Sequence, residues 1–232
     1  MVAVKVLCNA MESGVSDATQ SYRQDFIELA LECEVLQFGE FELKSGRVSP
    51  YFFNAGKISS GAALARLGRC YAAALSHSKL SPDMLFGPAY KGIPLVASTA
   101  TALFSDHDID LPFAFNRKEA KKHGEGGNIV GAKLQGDVVV VDDVMTAGTA
   151  IKESMATLDD AGARGIGVLI GLDRCERGAG ELSAVQQVEQ DCGLGVTSVI
   201  SLHDIIEWVQ SATNMTAHLE ALERYRERYG VT

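Results

Sequence analysis

Apolar and polar positions along the chain follow two rhythms. From Tyr22 to Gln37 the residues Phe26, Leu29, Ala30, Cys33 and Leu36 recur at steps of three and four, which predicts an amphipathic helix ended by Gly39. The stretch from Phe41 to Gly56 holds two short aromatic-rich runs separated by Lys44, Ser45, Gly46 and Arg47 and by Pro50, and predicts a β-hairpin at one side of the main body. Beyond it the rhythm alternates. Helices are predicted at Ser60 to Ser76, Ile93 to Phe104 and Thr149 to Asp160, with strands at Met84 to Phe86, Phe113 to Phe115, Val138 to Val141, Gly165 to Leu172 and Val196 to Ser201. Two further helices, His203 to Gln210 and Thr216 to Tyr229, complete the surface. Strands alternating with helices, some of them unbroken apolar runs, predict an α/β fold with a mainly parallel sheet covered on both faces.

The pattern lapses twice. Between Arg117 and Gly136 clustered cations alternate with glycines and little is apolar, which predicts a long mobile loop, a type of segment that often carries function. Residues 1–20 show neither rhythm and are expected to be a disordered extension ahead of one domain spanning residues 21–232. With Lys5 as the only cation in its opening and no proper hydrophobic stretch plus cleavage site, the extension does not read as a signal peptide.

Composition narrows the function. With 232 residues, 47% of them hydrophobic, the chain can bury a sizeable core. A net charge of −9 opposes broad binding to nucleic acid or anionic membrane, so any phosphate site has to be local. Five cysteines without paired spacing fit a reducing compartment, and the cytoplasm is expected. No run approaches the roughly 18 apolar residues of a membrane span.

The most informative segment runs from Val138 to Ala150. A buried strand delivers Asp142 and Asp143, and then Val144, Met145, Thr146, Ala147, Gly148, Thr149 and Ala150 form a small-residue turn that opens a helix. Amides at such a helix start have no intrahelical acceptor and attract a phosphate, while Gly148 allows close approach. Carboxylates beside an anion site are suited to accept hydrogen bonds from ribose hydroxyls, so sugar and phosphate would be read together. The GxxxxGK[ST] and GxGxxG patterns that would signal other phosphate grips are absent.

This segment resembles the phosphoribosyl-diphosphate signature of type I phosphoribosyltransferases. Three more segments, Leu43 to Asn54, Phe86 to Leu95 and Phe115 to Gly131, resemble the matching motifs of the bacterial orotate phosphoribosyltransferases within that family, and the likeness runs from about Tyr22 onward, including Asp173 to Gly178. The resemblance implies the type I fold, with an N-terminal helix and hairpin forming a hood over residues 21–58. It implies transfer of a 5-phosphoribosyl group from 5-phosphoribosyl 1-diphosphate to orotate, giving orotidine 5'-phosphate and pyrophosphate.

Site roles follow from the same resemblance. Phe52, Phe53, Thr146 and Arg174 would bind orotate, the arginine meeting its carboxylate. Lys44, Tyr90 and Lys91 would contact the diphosphate end of the donor, with Arg117, Lys118, Lys121 and His123 closing over it from a catalytic loop at residues 117–131. Lys121, His123 and Lys44 would be catalytic. The family also implies Mg2+ held mainly by substrate and water, and a homodimer in which one subunit's loop reaches its neighbour's site. Met145 stands where a branched aliphatic is usual, a volume match that should leave the loop intact. A sensor of the donor on the same fold, or a transferase acting on a purine or uracil, is the alternative.

Overall fold

The computed structural model describes residues 21–43, 45–118, 128–145, 148–178, 180–212 and 215–231. The expected extension at residues 1–20 lies outside them, as do Lys44, Lys121, His123, Thr146 and Ala147.

The first helix, α1, covers residues 21–32 and is shorter than the three-four spacing suggested. The chain turns at Glu34, whose φ is 55°, and continues as strand β1, Leu36–Glu42. Leu36 and Gly39 therefore belong to a strand. Cross-strand pairing decides this: β2, Val48–Phe53, runs antiparallel to β1 and sets Leu36 against Phe53 and Phe38 against Tyr51. Pro50 lies inside β2 and does not bound it, which is tolerated because β2 pairs only with β1. The hairpin is thus present, with a longer first arm than predicted.

The main body follows the predicted alternation. After α2 (Gly61–Ser76) come β3 (Met84–Gly87), α3 (Gly92–His107), β4 (Phe113–Asn116), β5 (Ile129–Gly131), β6 (Asp137–Val144), α4 (Thr149–Asp160), β7 (Arg164–Asp173), α5 (Ala184–Cys192), β8 (Gly195–Ser201), α6 (Leu202–Ser211) and α7 (Thr216–Tyr229). The second sheet has six strands in the order β5-β4-β3-β6-β7-β8, parallel except where β5 joins β4. Two elements escaped the sequence reading. Strand β5 sits in the stretch taken for loop, and α5 is polar with Val188 its one buried residue. Its start was nevertheless marked by a reciprocal cap, in which Ser183 accepts from the Gln186 amide and the Gln186 side chain accepts from the Ser183 amide.

Alternating strand residues feed two apolar layers. Val139, Val141 and Leu169 pack with α2, α3, α6 and the hood, whereas Val138, Val140, Val168 and Ile170 pack with α4 and α5. That two-sided burial is why four consecutive valines are tolerated. Strands β3, β6 and β7 are neighbours, so the loops after Gly87, Val144 and Asp173 emerge side by side at the carboxyl edge of the sheet. Open parallel sheets bind ligands at that edge.

Candidate active site

Strand β6 leads to a turn that opens α4 through Gly148. Asp142 and Asp143 end the strand, and Gly148 takes φ 67°, the left-handed turn that launches α4 at Thr149. A β-carbon at Gly148 would also lie 2.8 Å from Val188. The strand end is pinned from below, where the Tyr71 hydroxyl donates to the Asp142 carbonyl at 3.1 Å and the Asp142 carboxylate accepts the Asp143 amide at 2.9 Å.

Burial pushes the Asp142 carboxyl up to about 6, with the Asp143 charge acting the same way and the Asp143 amide and Lys91 opposing. Asp143 is buried and takes the Lys91 ammonium at 2.5 Å. Lys91, expected at the diphosphate, thereby already neutralises one of the two carboxylates.

The loop after β3 carries Tyr90 and Lys91. It is tightly folded, because a β-carbon at Gly92 would approach Pro88 Cδ to 2.7 Å, and the Ala89 amide donates to Asn116 Oδ1 at 2.7 Å. The Ala89–Tyr90 peptide is cis. Tyr90 is 66% exposed, and the Lys118 ammonium lies 5.0 Å from its ring centre. Arg117 leaves β4 with its amide bonded to the Asn128 carbonyl at 2.7 Å, so both ends of the cationic loop are anchored by the β4-β5 pair. Lys91, Tyr90, Lys118 and Asp143 thus gather at one end of the site.

At the other end a cavity of about 740 Å3 opens between the hood and the loop after β7. Phe52, Phe53, Val144, Met145 and Arg174 all line it, as do Leu43 and Ser45 on either side of Lys44. The two phenylalanines divide their work as strand alternation requires. Phe53 is 7% exposed and stacks on Phe26 in the core, while Phe52 is 38% exposed and stacks on Phe41.

Arg174 is no surface arginine: its side chain is 15% exposed, paired with Glu176 at 2.7 Å and set 4.5 Å over the Tyr51 ring. Burial opposes its charge, but the Tyr51 and Glu176 oxygens outweigh that and its pKa is raised. Glu176, Tyr51, Tyr71 and Asn116 were not singled out from the sequence. Tyr51, Asn116 and Glu176 lie within recognised motifs, so for them only pairing geometry was missing.

Residues 54–187 match the family model described as a phosphoribosyl transferase domain. The chain is 59% identical over 212 residues to orotate phosphoribosyltransferase of Vibrio parahaemolyticus, covering 91% of this chain and all of that one. The chain belongs to the orotate phosphoribosyltransferase family. The Pseudomonas aeruginosa member is likewise 59% identical, with the same coverage. The crystal structure of the Francisella tularensis orotate phosphoribosyltransferase superposes with a TM-score of 0.80 at 45% identity, covering 88% of this chain and 98% of that one. The fold is accordingly the type I phosphoribosyltransferase fold, and the chain is a pentosyltransferase of pyrimidine biosynthesis.

Proposed function

We propose that the chain joins orotate to the ribose of 5-phosphoribosyl 1-diphosphate, with the 740 Å3 cavity holding the base and the loops after β3 and β6 holding the donor. The observation that carries this reading is a part-buried, charged Arg174 in the wall of a cavity that Phe52 and Phe53 also line. A flat, carboxylated ring needs apolar walls and one forked cation. Uracil has no carboxylate for that cation, and a purine has a different outline.

On the donor side, Gly148, Thr149 and Ala150 present the start of α4 to the 5-phosphate, together with Val144, Met145, Thr146 and Ala147. Asp142 and Asp143 accept from the ribose hydroxyls. Tyr90, Lys91, Arg117 and Lys118 meet the diphosphate, so Lys91 exchanges Asp143 for a phosphate oxygen as the donor arrives. Lys44, Lys121 and His123 complete the cationic end and stabilise the charge that gathers on departing pyrophosphate. Orotate N1 attacks as the anomeric carbon becomes cation-like, and Thr146 and Arg174 hold the ring in line.

The hard carboxylate oxygens of Asp142 and Asp143, near the end of β6, would suit a magnesium ion held mainly by donor oxygens and water, which would neutralise diphosphate charge. The protein would work as a cytoplasmic homodimer, the residue 117–131 loop of each copy closing over its neighbour's site. Among the described residues no helix is long and apolar enough to cross a membrane.

Orotate consumption in the presence of donor tests the reading. Turnover should require both substrates and stop when magnesium is chelated; turnover that survives chelation overturns the magnesium assignment, and none under any condition overturns the reaction. Mixing an inactive Lys121→Ala protein with an inactive Asp142→Asn/Asp143→Asn protein should restore activity through hybrid dimers. No recovery after confirmed subunit exchange contradicts shared sites.

A further inference from the structure

Of the acidic residues lining the cavity, Glu42, Asp173 and Glu176, the last is paired with Arg174 itself, and the reaction has no direct use for it. Glu176 follows Arg174 by two residues, and its carboxylate accepts from Arg174 Nη2 at 2.7 Å and from the Tyr51 hydroxyl at 3.1 Å. Its side chain is 11% exposed. An acid in the wall of a pocket for an anion weakens the pocket's field, so a compensating role is needed.

Geometry supplies one. The guanidinium lies over the Tyr51 ring, and its polar contacts among the described residues, the ion pair with Glu176 and a hydrogen bond to Ser49 Oγ at 3.4 Å, both run through Nη2. Nη1 and Nε are the donors left for an incoming carboxylate.

The backbone under Glu176 is held as firmly as its side chain. Glu176 forms an isolated antiparallel bridge with Gly230, the Arg177 amide donates to the Tyr229 carbonyl at 2.8 Å, and the Val231 amide donates to the Cys175 carbonyl at 2.9 Å. From the hood, Arg47 Nη1 donates to the Arg177 carbonyl at 2.7 Å. A short loop with a left-handed residue, Cys175 at φ 50°, is thereby tied on both sides.

We propose that Glu176 is a positioning residue for acceptor choice, clamping one arm of the Arg174 guanidinium, with Tyr51 steadying the clamp, so that the other arm faces a carboxylate on the base. This rests on the reading of Arg174 as the partner of the acceptor's carboxylate. The clamp favours a carboxylated base over a bare one, because only the former uses the aimed arm. It has no effect on donor binding, which occurs at the other end of the site.

The test is steady-state kinetics of Glu176→Ala, Glu176→Gln, Tyr51→Phe and Arg174→Ala, with orotate and donor varied separately. Glu176→Ala should raise the orotate KM by roughly tenfold, the value of one charge-assisted hydrogen bond, with donor KM and kcat at saturating orotate little changed. Glu176→Gln keeps an oxygen acceptor and should restore most of the loss. Tyr51→Phe, which removes only the hydroxyl, should shift the orotate KM the same way by a smaller factor, and it decides the matter if Glu176→Ala does not fold. Combined with Arg174→Ala, Glu176→Ala should add nothing.

An unchanged orotate KM in the folded variants, or a donor KM that rises in step with it, overturns the proposal. If Arg174→Ala itself leaves the orotate KM unchanged, the reading of Arg174 fails instead.

Discussion

The two ends of the site are built by different means. The proposed base end is a wall of packed rings around a part-buried ion pair: Phe53 on Phe26, Phe52 on Phe41, Arg174 over Tyr51 and against Glu176. The donor end is made of backbone, small residues and charges, with Gly148 in a left-handed turn and Lys91 paired to Asp143. The difference follows from what each ligand offers. A planar base with one carboxylate is recognised by shape and a single aimed cation, so its pocket can be assembled before binding. A polyanion is recognised by many amides and cations that would repel one another if gathered without it. Here carboxylates offset part of that charge in the ligand-free chain.

Breaking the donor end should therefore cost turnover, and breaking the base end should cost affinity for one substrate. The largest effect is expected from Lys121→Ala, with kcat lowered by roughly 10²-fold or more, the scale for losing a group that stabilises developing charge. Rapid-mixing turnover checks it. Next comes Arg174→Ala, expected to raise the orotate KM by roughly ten- to a hundredfold, since a charged hydrogen bond is lost and part-buried Glu176 is left without its cation. Donor KM should not move, and a parallel rise would erase the distinction between the two ends.

A smaller effect separates them by pH. The Asp142 carboxyl titrates at about 6 because burial disfavours its charge. A carboxyl raised in the folded state contributes stability that is fully present below its unfolded value, roughly 4, and is lost as pH rises through about 6. Asp142→Asn should consequently flatten the fall in unfolding free energy across that window, by on the order of 2 kcal/mol, as followed by denaturant titration at several pH values. Donor affinity should move the opposite way, rising in wild type as Asp142 ionises and becoming flat in the variant. Orotate affinity in product-side binding experiments should show neither trend.

Smallest is Gly148→Ala. A side chain at positive φ, close to Val188, should cost about 1 to 2 kcal/mol in thermal unfolding and raise the donor KM a few-fold with the orotate KM unchanged.

The donor end was the more legible in sequence, because its chemistry is written in contiguous residues. Asp142, Asp143 and Gly148 fall within one strand-turn-helix, and α4 begins and ends where its periodicity placed it. The base end is assembled from parts remote in sequence, and only folding brings Tyr51, Arg174 and Gly230 together. There, strand alternation sets Phe53 toward the core and leaves Phe52 more exposed. The errors have the same origin. Leu36 satisfies a helix spacing with Phe26, Leu29, Ala30 and Cys33 and a strand spacing with Phe38, and pairing with Phe53 chose the strand. Helix α5 was overlooked because its exposed face leaves little apolar rhythm, although its cap was readable.

On the proposed reading, the cavity under the hood selects a carboxylated pyrimidine. Its most direct test offers the enzyme donor and magnesium with orotate, uracil and hypoxanthine together, and separates the nucleotides formed by wild type and Arg174→Ala. Orotidine 5'-phosphate alone from wild type, with that preference reduced in the variant, is the predicted result; uracil or hypoxanthine nucleotides from wild type, or tight donor binding without any product, would contradict it.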